Sequence, residues 1–140
     1  MLKLIRTDSK NTDFINLVKK LDDYLTIVDG DEHDFYNQFN NIDVLNHVVV
    51  AYFNNVPVGC GAFKVFDKNS IEIKRMFTNE ESRGLKIASK VLGTLETWSK
   101  ELGYNSSILE TGIRQIEAVQ FYEKNNYSII SNFGPYKNVE

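Results

Sequence analysis

Five consecutive residues, Arg83-Gly84-Leu85-Lys86-Ile87, have the types and spacing of an anion-binding turn. They stand between a predicted strand over residues 71–78 and a predicted amphipathic helix over residues 86–102. Such a turn directs several backbone N–H groups and the positive end of a helix dipole at one point, where a phosphate group can bind. The glycine lets the phosphate approach the backbone, and the two basic side chains flank it. A plain helix cap is the alternative interpretation of the same residues.

The elements around this turn predict a mixed α/β fold of the order β-α-α-β-β-β-α-β-α-β. Strands are predicted over residues 1–7, 47–53, 56–66, 71–78, 106–110 and 127–131, and helices over residues 12–28, 34–40, 86–102 and 115–125. Asn54-Asn55 predicts a tight hairpin turn, Asp8 or Ser9 is expected to cap the first helix, and Asn126 to end the last one. The helix between the fourth and fifth strands predicts a parallel crossover in an otherwise antiparallel sheet.

The composition predicts one globular domain over residues 1–140, because 42% of the residues are hydrophobic and 25% are charged. No apolar run is long enough to span a membrane, and the first residues lack the features of a signal peptide. Together with the single cysteine, Cys60, this predicts a cytoplasmic protein without an internal disulfide. The net charge of -3 argues against nucleic acid as the main partner.

The chain shows no sign of a metal site. His33 and His47 lie far apart and do not have the spacing of paired metal ligands. A calcium loop beginning at Asp29 would need a glutamate at its twelfth position, where Asn40 stands. The acidic run over residues 29–34 is expected to cap the second predicted helix instead.

The element order, with the residues it contains, resembles the GNAT-type N-acetyltransferase superfamily over essentially the whole chain. Glu72-Ile73-Lys74-Arg75-Met76-Phe77-Thr78 resembles the fourth strand of that family, residues 83–88 its pyrophosphate loop, Leu109-Glu110-Thr111-Gly112 its fifth strand, and residues 115–127 its final helix. The resemblance implies the GNAT-type acyl-CoA N-acyltransferase fold. In that fold the fourth and fifth strands splay apart, and acetyl-CoA binds between them.

The resemblance also implies a set of residues that bind coenzyme A. The backbone of Met76, Phe77 and Thr78 would pair with the pantetheine arm. The pyrophosphate would be held by Arg83, Gly84, Leu85, Lys86, Ile87 and Ala88, and Ser89 and Tyr122 would also contact the cofactor. Gln115 stands where the family has an asparagine. Lys124 is a candidate to reach the 3′-phosphate, and an exposed lysine near a helix end is the alternative. Two loop residues depart from the family pattern, since Glu81 replaces a glutamine or arginine and Lys86 replaces a second small residue. Lys86 keeps its N–H and adds a positive charge, so binding of coenzyme A is expected to persist.

The resemblance assigns the proton transfers as well. Tyr122 stands where the family has the general acid that protonates the departing thiolate, and packing of its ring in the core is the alternative. The backbone amide at or near Phe77 would polarise the thioester carbonyl. Glu72 is the first candidate for the base that deprotonates the amine, Glu110 is the second, and a water chain is a third possibility. Glu72 and Lys74 forming a solvated ion pair is the structural alternative.

Strand alternation predicts which side chains of the fourth strand share a face. One face is expected to carry Glu72, Lys74, Met76 and Thr78, and the other Ile71, Ile73, Arg75 and Phe77. The resemblance implies that the segment after the first helix borders the acceptor pocket, where Asp31, Glu32 and Tyr36 would attract a cationic amine. Surface and capping roles are the alternative for these three residues. Cys60, in the strand segment Gly59-Cys60-Gly61, is expected to be buried packing.

The prediction from the sequence is an acetyl-CoA-dependent N-acetyltransferase. It would move an acetyl group to a primary amine of a small molecule, or to an exposed protein amine, by direct attack in a ternary complex. A non-catalytic sensor that binds acyl-CoA is the first alternative, and a structural domain with a vestigial loop is the second. Cys60 has no base partner near it in sequence, which disfavours a covalent acyl-enzyme. A homodimer is expected from the family alone.

Overall fold

Among the described residues, the central sheet has five strands. The computed structural model describes residues 1–29, 45–79, 82, 86–109 and 116–128. Its strands are β1 (Leu2–Thr7), β2 (His47–Phe53), β3 (Val56–Val65), β4 (Ser70–Thr78) and β5 (Ser106–Ile108), and its helices are α1 (Thr12–Asp29), α2 (Ile87–Glu101) and α3 (Ile116–Lys124). The strand order is β1-β2-β3-β4-β5, and only the β4–β5 pair is parallel. This confirms the predicted mixed sheet and the crossover through α2.

The predicted element boundaries agree with the structure to within a residue or two. β5 is the shortest element, since it ends at Ile108 and does not extend to residue 110 as expected. The predicted second helix over residues 34–40 lies outside the described residues. So does most of the predicted last strand, and Tyr127 and Ser128, which are described, are not in a strand. None of the helices in the described ranges is both long and apolar enough to cross a membrane.

Asparagine residues make two of the turns that the sequence predicts. Asn54 and Asn55 have φ angles of 51° and 70° and join β2 to β3. Asn126, the second residue after α3, has a φ angle of 75°. These left-handed conformations cost little for asparagine, because its short polar side chain tolerates them. The hairpin turn and the stop of the last helix are therefore confirmed.

The cap of α1 differs from the prediction. The side-chain oxygen Oδ1 of Asn11 accepts a hydrogen bond from the backbone N–H of Phe14 over 3.0 Å, which is the geometry of a helix N-cap. Asp8 accepts a bond from the N–H of Lys10 over 2.9 Å and belongs to the turn that precedes the helix. The cap is thus Asn11, and the expectation of Asp8 or Ser9 is wrong by one short turn.

The core lies on both faces of the sheet. On one face α2 packs on the sheet, and the buried cluster comprises Val49, Ala51, Val58, Phe63, Ile71, Ile73, Ile87, Val91, Leu92, Leu95 and Tyr122. On the other face α1 packs on the sheet, and the buried cluster comprises Phe14, Leu17, Val18, Leu45, Val48, Val50, Cys60 and Ala62. These two sides are called the α2 face and the α1 face below.

A β-bulge interrupts β4. Cys60 of β3 pairs with Phe77, but Ala62 pairs with Lys74, so two residues of β4 oppose a single residue of β3. The two residues are Arg75 and Met76, and Arg75 has a φ angle of 56°. A bulge of this kind restarts the alternation of side chains along a strand, because it inserts one extra residue.

The bulge makes the predicted faces of β4 wrong beyond Lys74. Ile73 and Met76 both pack on the α2 face, although alternation would place them on opposite faces. Phe77 packs against the cluster on the α1 face. Glu72 lies between Ile71 and Ile73 in the regular part of the strand, so it faces α1 and not the side of Met76.

Candidate functional site

The edge of β4 is the first part of the candidate site. The ladder between β4 and β5 pairs Ser70 with Ser106, Ile71 with Ser107, and Glu72 with Ile108. β4 continues to Thr78, and within the described ranges residues 73–78 have no partner in β5. An unpaired strand edge presents N–H and C=O groups that an extended, amide-bearing ligand can pair with.

Met76, Phe77 and Thr78 lie along this edge, after the bulge. Met76 and Phe77 are half-buried and point to opposite faces. The hydroxyl oxygen Oγ1 of Thr78 is buried and has no hydrogen-bond partner among the described residues. A Cβ built on Gly59, which pairs with Thr78, would contact both this hydroxyl and Ile87. Thr78 therefore stands beside the first turn of α2, with an unused hydrogen-bonding group.

The N-terminus of α2 is the second part of the site. Lys86 directly precedes the helix, is exposed, has φ 60° and ψ 27°, and makes no side-chain cap. Ile87 is buried, whereas Ala88 and Ser89 are half-buried in the first turn. Because the first N–H groups of a helix have no partner within it, an uncapped N-terminus favours an anion. The left-handed backbone at Lys86 would suit a glycine, which adopts it without strain, and it disfavours lysine.

Tyr122 is buried in α3, in the cluster on the α2 face, as the packing interpretation expected. Its ring meets the rings of Phe121 and Tyr127 edge to face, with centroids 5.0 and 5.6 Å away. Burial raises the pKa of the Tyr122 phenol above its usual value of 10.0, and the neighbouring Tyr127 raises it further. A phenol holds its proton at neutral pH even at its usual pKa, and the upward shift makes Tyr122 a weaker acid than an exposed tyrosine.

Tyr127 joins three elements near Tyr122, a contact that the sequence did not indicate. Its hydroxyl donates to Oε2 of Glu96 on α2 over 2.8 Å. The hydroxyl of Ser107 on β5 lies 2.8 Å from the same oxygen. Because the Tyr127 proton is used on the carboxylate, the Ser107 hydroxyl is the donor in that second bond. Burial is the main cause that raises the pKa of Tyr127.

Glu72 forms a buried ion pair with Lys74 on the α1 face. The distance from Lys74 Nζ to Glu72 Oε2 is 3.1 Å, and the side chains are 6% and 5% exposed. The pair is thus not solvated, contrary to the structural alternative. Burial lowers the pKa of the Lys74 ammonium, and the Glu72 carboxylate opposes this shift. Glu72 and Tyr122 lie on opposite faces of the sheet.

A second ion pair, at the bulge, was not predicted. The guanidinium of Arg75 contacts Oδ1 of Asp22 on α1 over 2.6 Å, and the Arg75 side chain is only 7% exposed. The thiol of Cys60 donates to the carbonyl oxygen of Arg75 over 3.4 Å. The sequence does carry one signal for this arrangement, because alternation put a charged residue in the apolar row of Ile71 and Ile73. Cys60 is buried, as expected.

Several predicted site residues lie outside the described residues: Arg83, Gly84, Leu85, Gln115, Glu110, Asp31, Glu32 and Tyr36. Lys124 is exposed in the last turn of α3. Within the part of the chain that the structure describes, no group of three His, Cys, Asp or Glu side chains is arranged to hold a metal ion.

Comparison with known proteins agrees with this fold. The chain belongs to the acetyltransferase (GNAT) family, whose model matches residues 14–127. The IAA acetyltransferase of Azospirillum brasilense is 33% identical over 89 residues, which are 63% of this chain and 58% of that protein. An uncharacterized N-acetyltransferase of Schizosaccharomyces pombe is 32% identical over 71 residues, which are 50% of this chain and 44% of that protein. The chain therefore matches only about half of the length of these curated relatives.

Solved structures share the architecture over nearly the whole chain. A candidate acyl-CoA N-acyltransferase from Klebsiella pneumoniae superposes with a TM-score of 0.82 at 24% identity, covering 99% of this chain and 91% of that one. A GNAT family acetyltransferase from Elizabethkingia anophelis, solved with acetyl-CoA bound, has a TM-score of 0.70 at 18% identity, covering 99% and 86%. At these identities the likeness shows the fold alone, and it confirms the GNAT-type architecture.

Proposed function

We propose that this chain transfers the acetyl group of acetyl-CoA to a primary amine of a small molecule or to an exposed amine of a protein. Membership of the acetyltransferase family supports the reaction class. The observation that carries the proposal is the edge of β4 over residues 73–78, which has no partner in the described part of β5, beside the N-terminus of α2, where Lys86 makes no side-chain cap. The edge of β4 suits the amide-bearing arm of acetyl-CoA, and the N-terminus of α2 suits a phosphate.

The residues present fit acetyl-CoA. Met76, Phe77 and Thr78 would pair with the pantetheine arm, and the buried hydroxyl of Thr78, which has no partner among the described residues, is one hydrogen-bonding group that a ligand would satisfy. The pyrophosphate would be held by Arg83, Gly84, Leu85, Lys86, Ile87, Ala88 and Ser89, and other parts of the cofactor by Gln115 and Lys124. When bound, acetyl-CoA supplies the acetyl thioester that is the acyl donor.

Tyr122 would act as the general acid. The transfer forms a C–N bond and breaks the C–S bond, so the sulfur leaves with the bonding electrons and needs a proton, while the amine nitrogen must lose one. A phenol is protonated at neutral pH, so Tyr122 has a proton available for the sulfur, and the bound thiolate must draw it from a phenol whose pKa burial has raised. A β4 amide at or near Phe77 would stabilise the negative charge that develops on the carbonyl oxygen.

Glu72 remains the first candidate for the base that accepts the amine proton. Its location on the face opposite Tyr122 would let the two groups act from opposite sides of β4. Lys74 already contacts Oε2 of Glu72, so Glu72 would have to exchange this contact to take a proton. Glu110 is the second candidate, and a water chain is the third.

Direct attack on the thioester is the proposed route. Burial raises the pKa of Cys60 to about 12, and the thiolate is the nucleophilic form of cysteine, so Cys60 is poorly suited to carry an acyl group. We further propose that Asp31, Glu32 and Tyr36 attract a cationic amine and that the protein acts in the cytoplasm, with a homodimer as the family-level expectation.

A thermal-shift titration tests the proposal first. Acetyl-CoA at about 100 times its Kd should add roughly 2.7 kcal/mol to the free energy of unfolding, which is a rise of several degrees in Tm. Coenzyme A and longer acyl-CoAs in parallel would define the acyl preference. If none of them shifts Tm, the transferase proposal is wrong and the structural-domain alternative replaces it.

The variant Tyr122→Phe separates an enzyme from a sensor, once an amine screen by thiol release has found an acceptor. It should bind acetyl-CoA normally and lose about 10-fold or more in kcat, because the proton donor is gone. Tyr52→Phe is the matched control: its hydroxyl donates to Asp13 over 2.7 Å, so it loses a bonded tyrosine hydroxyl outside the proposed site. Its kcat should stay near the wild-type value. If the wild type binds acetyl-CoA but turns over no amine in the screen, the sensor alternative is favoured.

A further inference from the structure

Arg75 has an unusual backbone for a residue in a strand. Its φ angle of 56° lies in the left-handed region, which disfavours residues with a Cβ other than asparagine and aspartate. The residue is the first of the two that oppose Gly61 in the β4 bulge. A conformation of this kind persists only where the surroundings enforce it, and it is found preferentially at functional sites.

Among the described residues, two contacts and the absence of a side chain at Gly61 support the bulge. Asp22 of α1 pairs with the buried guanidinium of Arg75 over 2.6 Å. The Cys60 thiol donates to the Arg75 carbonyl oxygen over 3.4 Å, and burial keeps this thiol protonated. Gly61 leaves room for Met76, because a Cβ there would clash with Met76, Val91 and Leu95. Cys60 and Gly61 of the segment Gly59-Cys60-Gly61 and the charge of Arg75 thus all support the bulge in β4.

The bulge decides what the unpaired edge of β4 presents. Without the extra residue, alternation would turn Met76 and Thr78 toward α1 and Phe77 toward α2. With it, Met76 packs on the α2 face and Phe77 on the α1 face. The backbone groups of residues 76–78 are reoriented together with these side chains, and these are the groups proposed to meet the thioester.

We propose that Arg75 is a positioning residue: held by Asp22 and Cys60, it fixes the bulge that aims the backbone amide at or near Phe77 at the thioester carbonyl. The inference rests on the proposed function, since it assigns a task to the same edge of β4. It also makes α1, through Asp22, part of the support of the site.

Two substitutions of Arg75 separate its backbone role from its charge. Glycine adopts a positive φ at no steric cost, so Arg75→Gly should keep the bulge although the ion pair is lost. Alanine is disfavoured in the left-handed conformation and cannot form the ion pair with Asp22, so Arg75→Ala should lose the bulge. Asp22→Asn keeps the shape of the partner and removes its charge. It should weaken the bulge to a degree between the wild type and Arg75→Ala.

Two readouts besides activity test the proposal. In the protein without ligand, the backbone ¹³C chemical shifts of residues 75 and 76 report whether φ is positive. With [1-¹³C]acetyl-CoA bound, the isotope-edited infrared frequency of the thioester carbonyl reports its polarisation. The wild type and Arg75→Gly should show a positive φ and a lowered carbonyl frequency, whereas Arg75→Ala should show neither, with a Kd for acetyl-CoA that stays within about 3-fold. Loss of an aligned amide should lower kcat of Arg75→Ala by about 100-fold with little change in KM.

The possible outcomes separate the two proposals. If the wild type does not bind acetyl-CoA, the proposed function fails and this inference fails with it. If the wild type binds and lowers the carbonyl frequency, and Arg75→Ala does so equally, the positioning role alone is wrong. If Arg75→Gly has a positive φ but does not lower the carbonyl frequency, the left-handed backbone at residue 75 does not align the amide, and the backbone role is wrong. Should Arg75→Ala not fold, Arg75→Gly and Asp22→Asn still decide between these results.

Discussion

The ring of Tyr127 stands at 67° to the ring of Tyr122, and the backbone N–H of Tyr127 donates to the carbonyl oxygen of Tyr122 over 2.9 Å. The left-handed turn at Asn126 makes this return contact possible. Tyr127 is in turn bonded to Glu96 and to Ser107. The orientation of the proposed acid is therefore tied to α2 and β5, and not only to its own helix.

Removal of the Tyr127 hydroxyl should destabilise the protein. Tyr127→Phe keeps the ring contact with Tyr122 but leaves the half-buried Glu96 carboxylate without its tyrosine donor. We expect the free energy of unfolding to fall by about 1–3 kcal/mol, as for a lost hydrogen bond to a charged group. Urea denaturation measures it. Glu96→Gln, alone and combined with Tyr127→Phe, completes a double-mutant cycle, and additive effects in that cycle would show that the bond contributes nothing.

Gly61 should not tolerate a side chain. A Cβ at this position would overlap Met76 and come within 2.9 Å of both Val91 and Leu95. Gly61→Ala should therefore lower the free energy of unfolding by about 1–3 kcal/mol through overpacking. Gly93→Ala in α2 is the matched control, because nothing lies within 4 Å of its Cβ. The control should be more stable than the wild type by about 0.5–1 kcal/mol, since alanine favours a helix. Equal thermal stability of the two variants would contradict the packing argument.

Lys86 should strengthen the binding of acetyl-CoA and lower the free energy of unfolding of the protein without ligand. Its left-handed backbone and its positive charge at a helix N-terminus both disfavour lysine. Lys86→Gly should raise the free energy of unfolding without ligand by about 0.5–1 kcal/mol, after the entropic cost of glycine is subtracted. The same variant should bind acetyl-CoA about 2–5-fold more weakly, because one exposed charge near a phosphate is lost. Lys90→Ala, on an exposed position of the same helix, is the control and should leave Kd unchanged. Tighter binding by Lys86→Gly would contradict a role for this charge.

The sequence predicted those features of the fold that depend on local chemistry. The turn at Asn54-Asn55, the span of α2 and the stop at Asn126 follow from φ preferences and from the spacing of apolar residues, which neighbours in the chain determine. The bulge at Arg75 could not be derived in this way. It depends on the register with Gly61 and on the ion pair with Asp22, and both partners are distant in sequence.

The candidate site was predictable to a similar degree. The resemblance indicated Tyr122 and the first turn of α2 from motifs that are continuous in sequence. The bonds of Tyr127 to Glu96 and Ser107 connect the segment after α3 with α2 and β5, and no local sequence pattern indicates them. Burial of Glu72 and Lys74 was also missed, because strand alternation cannot tell which face of a sheet another helix covers.

His47 lies in an aromatic cluster at the start of β2. Its ring stacks on Phe63 with centroids 4.6 Å apart and meets the ring of Trp98 edge to face at 4.9 Å. The guanidinium of Arg6 lies over Trp98, 5.2 Å from the ring centroid, and is paired with Glu101. Burial lowers the pKa of His47 from 6.5. Protonation therefore occurs at a lower pH in the folded chain than in the unfolded chain.

Stability should consequently depend on pH through His47. As the pH falls through 6.5 toward the lowered pKa of the folded state, the unfolded chain binds more protons, so the free energy of unfolding falls. His47→Phe keeps a stacking ring and removes the titration. We expect the variant to gain stability relative to the wild type between about pH 7 and pH 5, where histidine titrates. Urea denaturation of both proteins across this range measures the difference. A difference that stays constant with pH would show that the folded protein accepts the proton on His47 as readily as the unfolded chain does.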